Sequence, residues 1–81
     1  MIHADLAELL RHRLAVIADR AWYEKDPQGH LVALQEVSEN IDHWHHQHRG
    51  QLSSRLEHFL TGKSFDKALR LLESDGQWTG H

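Results

Sequence analysis

The chain has no cysteine, a single proline, five glycines and no long β-branched run. Without cysteine there is no disulfide, no thiolate nucleophile and no Cys-ligated zinc to staple a small core, and a reducing cytoplasm is the expected compartment. No apolar run approaches the ~20 residues that span a bilayer. The opening MIHADLAELL also lacks the basic stretch followed by a hydrophobic one that marks a leader. Nine Lys and Arg against twelve Asp and Glu give a formal charge of −3 with neutral histidine, so there is no basic footprint for nucleic acid. A soluble, intracellular chain with neither membrane nor nucleic acid as partner is expected.

What is present is helical punctuation. The length of 81 residues is read as one small domain over 1–81. Placed at 100° per residue, Leu6, Leu9, Leu10, Leu14, Val16, Ile17 and Ala21 cover an arc of roughly 140°, which predicts a helix over about 4–23. Asp26-Pro27 then supplies an N-cap and a residue suited to the first helical position. From there Leu31, Leu34, Val37, Ile41 and Trp44 recur at helical spacing to an Arg49-Gly50 stop, predicting a second helix over about 27–49. A connection this short makes the two antiparallel neighbours. Ser54 and Glu57 have the form of a capping box before a helix over about 55–61, and Ser64 precedes one over about 65–74, with Asp66 and Arg70 at pairing distance. The fold class is therefore all-α: a long antiparallel hairpin covered by two short C-terminal helices, with 75–81 a flexible tail on which Trp78 is the one group suited to docking.

The first helix carries more apolar surface than one neighbour can cover, and Arg13 and Arg20 fall inside its stripe. Arginine can pack its stem there while its guanidinium reaches a carboxylate at an edge, which suits a seam better than a sealed core. A chain of this size buries only about 60% of its unfolded surface, so a partner subunit is expected. Leu9, Arg13, Val16, Arg20 and Trp22 are the candidate interface residues; Trp22 and Tyr23 flank the turn, and large aromatics and arginine are enriched where partners bind.

Nine histidines stand out, four of them in IDHWHHQHRG, residues 41–50. Projection on the second helix places His48 within its apolar face, His45 at the edge, and His43 and His46 on the opposite side, so the four do not form one cluster. The plain reading is a helix C-terminus, where cationic groups favour the last carbonyls by about 0.3–1 kcal/mol each, with Glu39-His43 and Asp42-His46 as surface pairs. A sharper reading makes Glu39, His43 and His46, at i, i+4 and i+7, a zinc site with an open position. No His-Glu-x-x-His pattern accompanies them and no second Glu-x-x-His supports a di-iron site. A third reading is a proton switch, since nine imidazoles would move the formal −3 toward +6 on acidification.

Other chemistry is weaker. Gly62-Lys63-Ser64 resembles the end of a phosphate-binding loop, but Glu57 stands where that loop needs its first glycine. No nucleophile elbow is present. The last helix balances Lys67 and Arg70 with Asp66, Glu73 and Asp75, which disfavours DNA recognition. The sequence reads as a self-associating helical interaction or adaptor domain, a homodimer or the partner of another protein, without catalytic activity or cofactor; the alternative is a zinc-binding or pH-responsive helical protein.

Overall fold

The computed structural model describes residues 3–78. They form α1 (Ala4–Ala18), α2 (Arg20–Lys25), α3 (Pro27–Gln47), α4 (Ser54–Thr61) and α5 (Phe65–Glu73), with no strand among the described residues. The all-α hairpin expected from the sequence is present. Its arms are antiparallel: Asp5 near the start of α1 meets Trp44 near the end of α3, and Val16 near the end of α1 meets His30 near the start of α3. No helix among the described residues is long and apolar enough to cross a membrane.

The helix expected over 4–23 is in fact two. Asp19 leaves the helical region, with φ −81° and ψ 79°, and its carboxylate accepts the Trp22 backbone N–H at 3.1 Å, capping a new helix one residue on. The interruption leaves the Val16 carbonyl to be shared by the Asp19 N–H at 3.2 Å and by Nε2 of His30 at 2.6 Å. Asp and backbone compete well for such donors, so a break needs neither glycine nor proline.

The other boundaries follow local chemistry. Asp26 caps α3 by accepting the Gly29 N–H at 3.0 Å, and a Cβ at Gly29 would meet the Asp26 carboxylate and push it out of its capping position. Ser53, not Ser54, caps α4 by accepting the Leu56 N–H at 3.2 Å. Glu57 does not reach back to complete a capping box; it pairs with His45 instead. Both α4 and α5 end in the same way. The residue after the C-cap is left-handed, Lys63 at φ 58° and Asp75 at φ 53°, and the next N–H returns to a carbonyl five residues earlier, Ser64 to Phe59 and Gly76 to Leu71. Arg70 lies over the Trp78 ring, 5.6 Å from its centroid. Of the tail expected to be flexible, Trp78 instead packs against the core, its ring 6.0 Å from Phe59 and its backbone N–H donating to Ser74 Oγ. Residues 79–81 of that tail lie outside the described residues.

The core occupies one end of the hairpin. α1 contributes Leu6, Ala7 and Leu10 and nothing beyond; α3 contributes Val37, Ile41 and Trp44 and nothing before Val37 except the partly buried Leu34. Leu56, Phe59 and Leu60 of α4 and five residues of α5 close it. The reason is length. At 1.5 Å per residue the 21 residues of α3 run ~32 Å, whereas the nine of α5 run ~13 Å. Exposed ion pairs hold the cover in register, Arg11 with Glu73 at 3.1 Å and Lys63 with Asp42 at 2.6 Å, each contributing less than about 1 kcal/mol.

This arrangement predicts different costs for the same substitution one turn apart on α1. Leu10→Ala should cost about 2–5 kcal/mol of unfolding free energy and Leu14→Ala less than about 0.5 kcal/mol, read from urea midpoints in dilute solution.

Candidate functional site

Leu14 and Ile17 continue the line of Leu6 and Leu10 along α1 at helical spacing. The first pair is fully covered, while Leu14 is exposed and Ile17 is 45% exposed. Leu14 sits at the edge of the cover, lining a depression with Leu69 and Arg70 of α5. On α3, Leu31 and Leu34 line a depression that runs along one flank to Asp42, the same flank that meets α4 further down at Asp42 and His45. Leu31 is 47% exposed. The face that α4 and α5 cover at one end of the hairpin is thus bare at the other, with Leu14 and Ile17 on one arm and Leu31 on the other. Val32, also exposed, stands a further ~100° round α3 and is not part of it.

The helix break shapes the end of this face. His30 is buried, and Trp22 and Tyr23 stand edge-on to its ring with centroids 5.8 and 5.5 Å away. Its Nε2 donates to the Val16 carbonyl, so one imidazole fixes both the break and the two aromatics. Tyr23 remains 58% exposed.

The residues expected at an interface separate into two groups. Val16 is 4% exposed and Leu9 is half-buried against the core, so both are covered within the chain. Substituting glutamate there would unfold the protein before it tested any assembly. Arg13 is half-buried, its guanidinium 4.8 Å from the Phe65 ring centroid and its Nε buried with no hydrogen-bond partner. Arg20 and Trp22 lie open at the tip.

The histidines of residues 43–48 have three distinct surroundings. His45 is buried and its Nε2 lies 2.9 Å from Glu57 of α4. His48 stacks on Trp44 at 4.0 Å, with its Nδ1 donating to the Trp44 carbonyl. His43 and His46 are exposed and line a groove toward α4, whereas Glu39 lines the depression with Leu31. Among the described residues, no group of three or more His, Cys, Asp or Glu side chains is placed to hold a metal ion.

Two groups escaped the sequence reading. His30 was legible in principle, because it extends the spacing of Leu34, Val37 and Ile41 one turn upstream. Asp5 was not: nothing local shows that it receives the Trp44 indole N–H at 2.7 Å from the far arm. That hydrogen bond, more than the Leu6 N–H or the nearby His48, holds the Asp5 carboxyl below the usual carboxylate range, against a desolvation that works the other way. A carboxyl with a lower pKa folded than unfolded contributes stability that is present above its unfolded pKa of ~3.9 and is lost as pH falls through the folded value. The stability advantage of the wild type over Asp5→Asn should therefore be level between pH 5 and 7 and shrink below about pH 4, measured by urea unfolding across that range.

No family model, no curated protein and no solved structure matches this chain.

Proposed function

We propose that this protein is a helical interaction module, a binding protein and not an enzyme, whose working surface is the bare half of the hairpin face and whose partner there is a second copy of the chain. The observation that carries the reading is the exposure of Leu14 at the edge of α5 and of Ile17, Trp22, Tyr23 and Leu31 beyond it, all toward one end of the hairpin. Side chains exposed to this degree add up to an apolar area on the order of 400–500 Å², the size of the largest apolar patch on a typical monomer, which is often a functional surface.

A second copy is favoured by charge and by area. A two-fold contact lays a patch against itself, so a patch of one sign repels its own image. Here Arg13, Arg20 and Lys25 of the first arm are interspersed with Asp19 and Glu24 and stand across from Asp26 and Glu36, which lets each copy offer both signs to the other. A stable interface buries about 800 Å² per partner, and the apolar patch with this polar rim reaches that scale. Two hairpin tips packed face to face would give each copy the cover that its own short helices do not extend far enough to provide.

Light scattering after size exclusion tests this. The wild type should run at twice the 9.5 kDa of one chain, and Ile17→Glu should run as one chain with an unchanged helical circular dichroism spectrum. A wild type that stays at 9.5 kDa up to millimolar concentration, or an Ile17→Glu dimer, would contradict the proposal.

A further inference from the structure

At the other end of the hairpin, α3 and the end of α4 enclose an open groove of about 500 Å³. It is lined by Asp42, His43, His46 and Arg49 of the α3 arm and by Leu60 and Lys63 across from them. In a chain with a formal charge of −3 this lining has the opposite character. Among the described residues it contains one carboxylate, Asp42, and that carboxylate is held by Lys63 at 2.6 Å. Arg49 adds a permanent positive charge, and His43 and His46 add up to two more as imidazoles protonate.

We propose that this groove binds a small phosphate compound, with His43, His46, Arg49 and Lys63 as donors to the phosphate. Arginine and protonated imidazole make short, charge-assisted hydrogen bonds to phosphate oxygens, and lysine binds the same group as a point charge. The volume falls within the roughly 300–1,000 Å³ of small-molecule sites. A long polyanion is disfavoured by the acidic chain as a whole, and a cation by Arg49 and Lys63.

Affinity should rise with acidification. The groups facing the site are Asp42, His43, His45, His46 and Arg49 from α3, and Thr61 and Lys63 from the α4 side, with Glu57 reaching it through His45. Acidification adds positive charge to a lining that holds three imidazoles, and an anion reads that change.

The site is independent of self-association, and the test uses the full chain. Phenyl phosphate is titrated at pH 7.0 while backbone amide and imidazole resonances are followed, with sodium chloride at equal ionic strength as control. Sulfate, which stays doubly charged, replaces it for a comparison of pH 7.5 with pH 6.0. The expected result is a saturable shift confined to residues 42–49 and 60–63. Affinity should fall at least ten-fold in the His43→Ala, His46→Ala double variant, and sulfate should bind more tightly at the lower pH. A response matched by sodium chloride, shifts spread equally over His12 and His58, or unchanged binding in the double variant would overturn the assignment.

Discussion

The structure depends on a mismatch of lengths. A hairpin arm of 21 residues needs a cover of similar length to bury its inner face, and the chain supplies helices of eight and nine. Hydrophobic burial is proportional to the apolar area removed from water, so stabilisation concentrates where the cover lies, from Leu6 to Leu10 on α1 and from Val37 to Trp44 on α3. The segment between Leu14 and Leu34 lies outside that core and is held within the hairpin, by the Val16–His30 hydrogen bond and the Trp22 and Tyr23 rings. Short helices are marginal by themselves, so α4 and α5 depend on the hairpin as much as it depends on them.

His30 is what organises the uncovered end. With the core ending at Leu10 and Val37, His30 ties the arms together at the tip, through its hydrogen bond to Val16 at the point where α1 breaks and through the Trp22 and Tyr23 rings. A continuous helix would carry Trp22 and Tyr23 onward along the α1 axis. The break turns them onto the His30 ring, which is why two aromatics and the exposed leucine and isoleucine side chains belong to one end of the molecule. The histidine-rich end is organised differently, through the Trp44 indole on Asp5, the His48 stack and the His45–Glu57 pair.

Much of this was legible in the sequence where local chemistry decides. Asp26-Pro27 placed the start of α3 correctly, because capping and proline geometry act within one turn. The separation of His45 and His48 from His43 and His46 followed from the helical period alone. The break at Asp19 was not legible, since Ala18-Asp19-Arg20 contains no helix breaker and the apolar stripe runs through it; its support, the His30 imidazole, comes from 14 residues away. For the same reason the sequence does not sort the candidate interface residues by exposure. Periodicity reports that Leu9, Leu14, Val16 and Ile17 are apolar, but only the lengths of α4 and α5 in three dimensions tell which of them are already covered.

The most direct test of the half-covered hairpin is amide hydrogen exchange as a function of protein concentration. Protection of Leu6 to Leu10 and Val37 to Trp44 should be set by the core of each chain and stay constant, while protection from Leu14 to Leu34 should rise with concentration as two tips cover each other. Protection from Leu14 to Leu34 that is already high in dilute solution and does not change with concentration would contradict the account, because that end would then be stable without a partner.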